Sequence, residues 1–302
     1  MDYLDNLIQL ADVRGEINVL CRFCDNWQIT HAKQNRGIFH IITVGQCAVH
    51  IGKTRHLLKK GDILFLPNGI PHWLGNVLAG EESSLHMQRQ QYGVFELRQN
   101  NIQRYDFEMF CGYFDYTQNA LLSNMLPDYW ILSGQENITL PLVMILQQEA
   151  NHQLGSHAII NGLCHVLLTY LIRDYIQHGD TLEQNIFSAL QDKRLFHAVD
   201  AMLKQPEKAW TMHSLAECCA MSRANFIRLF KQKTGTPPGK FLLDLRMQKA
   251  QMLLKNSNKS VLHIALEVGY QSESHFSKVF KNHTGISPSH YRIHLKDSSG
   301  TH

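Results

Sequence analysis

The 302-residue sequence has no apolar run that reaches the ~18–20 residues a membrane-spanning helix needs. It also lacks a basic leader. Met1-Asp2-Tyr3-Leu4-Asp5 opens with acid where a secretion signal places Lys or Arg, so export is not expected. Cysteine is sparse, and seven in a chain this long do not suggest a disulfide scaffold; a reduced, cytoplasmic compartment is the expectation. Charged residues make up 18% and apolar residues 44%, which excludes a disordered or collagen-like chain. The length suits about two domains.

Charge is unevenly placed. Residues 193–302 carry 17 Lys and Arg against 7 Asp and Glu, a balance of +10, whereas the preceding residues carry 12 against 19, a balance of −7. A basic C-terminal third on an acidic body points to a polyanionic partner.

The first 120 or so residues read as short strands. Gly37-Ile38-Phe39-His40-Ile41-Ile42-Thr43-Val44, Cys47-Ala48-Val49-His50-Ile51 and Asp62-Ile63-Leu64-Phe65-Leu66 are punctuated by Gly45, Gly52 and Pro67-Asn68-Gly69. Such spacing predicts a barrel or sandwich. From about Pro141 the period becomes helical. A longer helix is predicted from about Ser156 to His178, with Ile160, Leu163, Leu167 and Leu171 on one stripe, widened by Val166 and Tyr170. That is more apolar surface than one stripe needs, and the second side is expected to meet a partner subunit.

The last hundred residues contain one pattern twice, at an offset of 50. Ser222, Phe226, Phe230, Lys231, Thr234, Gly235 and Pro238 recur as Ser272, Phe276, Phe280, Lys281, Thr284, Gly285 and Pro288. Each serine suits a helix N-cap. Phe226, Leu229 and Phe230, like Phe276, Val279 and Phe280, share one buried face. Each glycine suits a left-handed stop. A shorter helix precedes each copy, capped by Thr211 or Ser260, so each copy reads as a helix-turn-helix. Leu243, Met247, Ala250 and Leu254 mark one long connecting helix.

The outward positions of the two longer helices are Arg223, Ala224, Asn225, Ile227, Arg228 and Lys231, and Glu273, Ser274, His275, Ser277, Lys278 and Lys281. Arg and Asn can make bidentate contacts to guanine and adenine in a major groove. Lys231 and Lys281, nearer the helix ends, are better placed for phosphates. A rigid connector would hold the two readers roughly 34 Å apart, one turn of duplex DNA.

Leu245-Arg246, Ile264-Ala265, Val268-Gly269-Tyr270-Gln271-Ser272, His275-Phe276-Ser277-Lys278-Val279-Phe280-Lys281 and Gly285-Ile286-Ser287-Pro288-Ser289-His290-Tyr291-Arg292 closely resemble the C-terminal signature of AraC/XylS-type transcriptional regulators. The resemblance implies binding to double-stranded promoter DNA through the twelve positions above, with RNA polymerase as a further partner. Ala224 and Ile227 depart from it, being apolar where the family's readers are often larger or polar.

In the N-terminal part, Gly61, Pro67, His72 and Asn76 fit the second cupin motif and resemble AraC-type cupin sensor domains. The implied effector pocket is lined by His40, Phe39, Phe65, His72 and Trp73. The first cupin motif has no His-x-His pair and no correctly spaced Glu. His31, His40 and His50 stand there instead, and three imidazoles can hold zinc or iron. Nothing in the sequence brings His31 or His50 to His72, so the expectation is hydrogen-bonded barrel histidines with no metal and no cofactor.

Cys21-Arg22-Phe23-Cys24 sets a thiol pair beside a cation that would favour thiolate. The whole chain resembles a subgroup of cupin-sensor regulators that includes a multidrug-efflux activator and a reactive-chlorine-responsive regulator. That resemblance implies redox sensing by Cys21 and Cys111. The competing signal is a small hydrophobic effector.

The expected architecture is two-domain α+β. A cupin-like β-barrel sensor spans 1–135, a helical dimerisation segment 136–180, a linker 181–192 and an all-α double helix-turn-helix 193–302. The function expected is that of a homodimeric activator of efflux or stress-response genes, not an enzyme and not a membrane protein. Two alternatives stay open: a metal-dependent cupin enzyme with an accessory helical domain, and a helical-repeat protein-interaction module.

Overall fold

The structure, a computed structural model, describes residues 2–76, 87–116, 121–151, 154–178 and 184–299, with side chains up to 294. The chain divides into two compact units. One comprises 13–116 and 126–178; the other gathers 1–12, 117–125 and 179–302.

The first unit is built on strands β1 (Arg14–Phe23), β2 (Gln28–His31), β3 (Gly37–Val44), β4 (Gln46–Ile51), β5 (Thr54–Lys59), β6 (Ile63–Leu66), β7 (His72–Gly75), β8 (Gln88–Tyr92), β9 (Phe95–Gln99), β10 (Phe107–Asp115) and β11 (Trp130–Leu132). Among the described residues they form a seven-stranded sheet, β11-β6-β3-β10-β1-β9-β8, and a four-stranded sheet, β2-β7-β4-β5. One apolar core gathers Ile38, Ile42, Leu64, Leu66 and Met109 of the larger sheet with Val49, Leu58 and Leu74 of the smaller.

Side chains alternate across a strand, so the intervening residues of β3 and β6 point to the opposite face. There Phe39 and Phe65 pack on Phe114, with ring centroids 4.7 and 5.6 Å apart. Helix α4 (Ser156–His178) packs against β1. It comes so close that a Cβ on Gly15 would stand 2.3 Å from Cys164 Cβ. The larger sheet is therefore buried on both faces along β3. Helix α3 (Glu136–Glu149) precedes α4 and begins five residues before Pro141, earlier than the sequence pattern suggested. Pro141 is the sixth residue of the helix and, lacking an N–H, cannot donate to the Asn137 carbonyl one turn back.

The second unit is helical. It holds α1 (Tyr3–Ala11), α2 (Leu121–Met125), α5 (Ile186–Gln191), α6 (Phe196–Lys204), α7 (Met212–Glu217), α8 (Arg223–Thr234), α9 (Pro238–Asn256), α10 (Val261–Glu267), α11 (Glu273–Thr284) and α12 (Pro288–Ser299). Helices α1 and α2, expected within the 1–135 domain, group with this unit instead. Helix α1 buries Leu4, Leu7 and Leu10 and packs on α6 and α9. Asp12, at its C-cap, accepts from Lys255 Nζ and from Asn256 Nδ2. The amide of Leu121 in α2 donates to Gln248 Oε1 of α9 at 2.8 Å. Among the described residues no helix is long and apolar enough to cross a membrane.

Candidate nucleic-acid interface and sensor core

The duplicated segments fold as duplicates. Ser222 Oγ accepts from the Asn225 amide at 3.3 Å, and Ser272 Oγ accepts from the His275 amide at 3.4 Å, so each serine caps its helix. Gly235 (φ 71°) and Gly285 (φ 85°) end α8 and α11 in the left-handed region. Thr234 Oγ1 bridges the carbonyls of Phe230 and Thr236, and Thr284 Oγ1 bridges those of Phe280 and Ile286. Phe226, Phe230, Phe276 and Phe280 are fully buried.

Burying those faces turns the opposite faces outward. Arg223, Ala224, Asn225, Arg228 and Lys231 are exposed on α8; Glu273, Ser274, His275, Lys278 and Lys281 are exposed on α11. Ile227 and Ser277, at equivalent positions, are half-buried and border the outward face rather than standing on it. Arg228 Nη2 donates to Asn225 Oδ1 at 2.9 Å. Each unit thus offers an exposed helix N-terminal turn with polar groups suited to base edges, and a lysine further along.

In the sensor, strand register brings together what spacing could not. His31 and His72 are direct partners in the antiparallel β2–β7 pair, with rings stacked at 4.6 Å and 8°. His40 comes from β3 of the facing sheet, and its Nε2 lies 2.9 Å from His72 Nε2. His40 Nδ1 lies 3.1 Å from Cys111 Sγ, and His72 Nδ1 lies 2.9 Å from the Ile70 carbonyl. One assignment of protons satisfies all three contacts. His72 Nδ1–H donates to Ile70 O, His40 Nε2–H donates to His72 Nε2, and the Cys111 thiol donates to His40 Nδ1. Burial is the main cause that holds His31 down at about 4 and His40 well below its ordinary range; it lowers His72 as well. All three rings are neutral near pH 7.

Cys111 sits opposite His40 in the β10–β3 register, and the Cys21 thiol is its hydrogen-bonding neighbour. That hydrogen bond, followed by burial, pushes the Cys111 thiol well up, while the Arg98 guanidinium pulls it the other way. Cys21 is itself buried and pairs with Arg98 in the β1–β9 register.

Residues 2–177 match the family described as Cupin, and residues 215–293 match the family described as Helix-turn-helix domain. The chain is 46% identical over 274 residues to an uncharacterized HTH-type transcriptional regulator of Haemophilus influenzae, which spans 90% of this chain and 91% of that one. It is 35% identical to the HTH-type transcriptional regulator MtrA of Neisseria gonorrhoeae, across 90% and 91% of the two chains. It is 30% identical to the RCS-specific HTH-type transcriptional activator RclR of Escherichia coli, across 89% of each.

The chain belongs to the AraC-type transcriptional regulators with a cupin N-terminal domain. It is a DNA-binding regulator and not an enzyme, as its named relatives are. The helical-repeat interaction module finds no support among them.

Three sensor expectations for this AraC-type regulator need correction. Phe39 and Phe65 do not join His40 and His72 in one pocket, because alternation sends them through the sheet to Phe114. Trp73 likewise faces away from His72 and stacks on His50 at 3.7 Å. Arg22 does not attend Cys21, since it points to the other side of β1 and pairs with Glu108 at 2.8 Å. Conversely, His31 does reach His72, and Arg98 is the cation beside the thiols. Neither had a local signal: His31 and His72 are joined only by a register set across forty residues of intervening chain. Cys218 is exposed.

Proposed function

We propose that this AraC-type regulator is a cytoplasmic, homodimeric activator that recruits RNA polymerase, reads its promoter through the outward side chains of α8 and α11, and is switched by oxidation of Cys21 with Cys111 as the resolving thiol. The observation that carries the switch is the adjacency of two buried thiols, Cys21 and Cys111, beside the Arg98 guanidinium. One relative, RclR, is named an RCS-specific activator, which supports an oxidant signal; efflux or stress-response genes are the proposed targets. The hydrophobic-effector reading loses its main support once Phe39, Phe65 and Trp73 turn away from the interior histidines.

The chemistry balances. Hypochlorous acid chlorinates the Cys21 sulfur and its thiol proton leaves in water. The Cys111 sulfur then displaces chloride, forming the S–S bond and releasing a proton. Two thiols lose two electrons to one chlorine. The disulfide removes the Cys111 thiol that donates to His40 and cross-links the already paired strands β1 and β10 beside the histidines. The readout is a shift between two sensor states.

Homodimerisation is supported by α4. Its buried stripe holds Ile160, Leu167 and Leu171, yet Ile159 and Val166 are 42% and 47% exposed on a second apolar stripe with half-buried Leu163 and Tyr170.

Mass spectrometry of the full chain after mild hypochlorite tests the switch. A peptide linked through residues 21 and 111, together with loss of the promoter response in Cys21→Ala, is expected. No link, with the response intact in that variant, overturns it.

A further inference from the structure

We propose that His31, His40 and His72 form a binding site for a transition-metal dication of the zinc type inside the sensor barrel. One ring nitrogen from each residue lies within 4.8 Å of the other two. Tetrahedral zinc holds imidazole nitrogens at about 2.0–2.1 Å, so its ligands stand about 3.3 Å from one another. The His40–His72 separation of 2.9 Å has to open slightly and His31 has to close by up to about 1.5 Å. Side-chain torsions supply shifts of that size without moving a strand.

A second observation points to a ligand. His31 Nε2 is buried and has no hydrogen-bond partner. A buried polar atom left unpaired costs about 1–3 kcal/mol and calls for an explanation such as an ion. His31 sits at the half-buried end of β2, in register with His72, so nothing in the sheet obliges a histidine there.

The donor set selects the class of metal. The cluster is all imidazole, and no carboxylate belongs to it among the described residues. Imidazole suits zinc, copper, iron and nickel; magnesium and calcium require oxygen.

The outer contacts are those a ligating histidine requires. His72 Nδ1–H is committed to the Ile70 carbonyl, which leaves its Nε2 lone pair for the ion. His40 presents Nε2 to the cluster, so on binding its ring proton moves to Nδ1 and Cys111 Sγ accepts it. Metal occupancy thereby reverses the direction of the Cys111–His40 hydrogen bond. The site stands independently of the redox reading, although it adjoins the same sulfur.

The test uses the reduced full chain in a Cys218→Ser background, which removes the exposed thiol, after stripping with a chelator. Zn²⁺ is titrated against a chromophoric chelator, and Co²⁺ is added separately to record its visible absorption. One ion per chain and a tetrahedral, nitrogen-rich Co²⁺ spectrum are expected. His31→Ala and His72→Gln should each weaken Zn²⁺ binding at least about tenfold. His50→Ala, which alters a ring stacked on Trp73 outside the cluster, should leave it unchanged. Circular dichroism of each variant separates lost binding from lost folding. His31→Ala keeps the test open if His72→Gln fails to fold, since its Nε2 has no partner to strand. No stoichiometric binding by the folded wild type overturns the site, as does binding that survives both histidine substitutions or is lost only with Cys21→Ser.

Discussion

Arg228 Nη2 donates to Asn225 Oδ1 at 2.9 Å, which ties together two side chains proposed to read bases from one turn of α8. The bond holds the guanidinium against the amide, and part of the ordering cost of binding is met before DNA arrives. Arg228→Ala is expected to relax discrimination at one base position by ~1–3 kcal/mol. Asn225→Ala should not add fully to it, because the two side chains share a contact. Competition binding against single-base operator variants measures both effects. Additive losses at unrelated positions would contradict the pairing.

Lys281 stands in the last turn of α11 and is exposed. Its proposed partner is a phosphate, so Lys281→Ala should weaken every sequence alike and reduce the salt slope by about 1. Binding isotherms at several salt concentrations, on specific and random duplexes, separate this from the Arg228 result. A selective loss at one base position would move Lys281 into the groove.

Acid should destabilise the sensor unit in metal-free protein. Burial is the main cause that lowers the pKa of His31 from 6.5 to about 4, with His72 and Arg98 adding to it; His40 and His72 are lowered too. The unfolded chain takes up these protons near pH 6.5, whereas the folded chain resists them. The stability each neutral ring carries is therefore complete above pH 6.5 and lost as pH falls below it, for His31 toward 4. For His31 the loss is on the order of 3 kcal/mol at most. Urea midpoints at pH 7.5 and 5 should differ in the wild type, and differ less in His31→Gln. Equal pH dependence in both would show that His31 is not held neutral.

The outward stripe of α4 makes a third kind of claim. Val166→Glu should convert a dimer into a monomer in equilibrium sedimentation of the full chain, with its circular dichroism unchanged, because Val166 is already 47% exposed in one copy. A wild type that sediments as a monomer would remove the interface.

The helical half was legible in the sequence because its signals are local. Ser222 and Ser272 cap, Gly235 and Gly285 stop, and phenylalanines four residues apart face one core, all within a dozen residues. The strand pattern of the sensor was legible too, but not its inside. Because β3 is buried on both faces, alternation separates Phe39 from His40 without saying which side is the barrel interior. His31 meets His72 through a β2–β7 register, and Arg98 meets Cys21 through a parallel β1–β9 pair. Both are long-range pairings that no spacing encodes. Helix α1 was missed because its partners, α6 and α9, lie two hundred residues away in sequence.

The account rests most directly on duplex recognition by the paired helices. Binding of the full chain, which retains the α1 contacts with α6 and α9, should be measured against fragments of its own promoter and against random duplex across a range of salt. The account predicts a preferred fragment, protected on two segments about one helical turn apart, with affinity that falls steeply as salt rises. A folded chain that binds no fragment in preference to random duplex at low salt would contradict it.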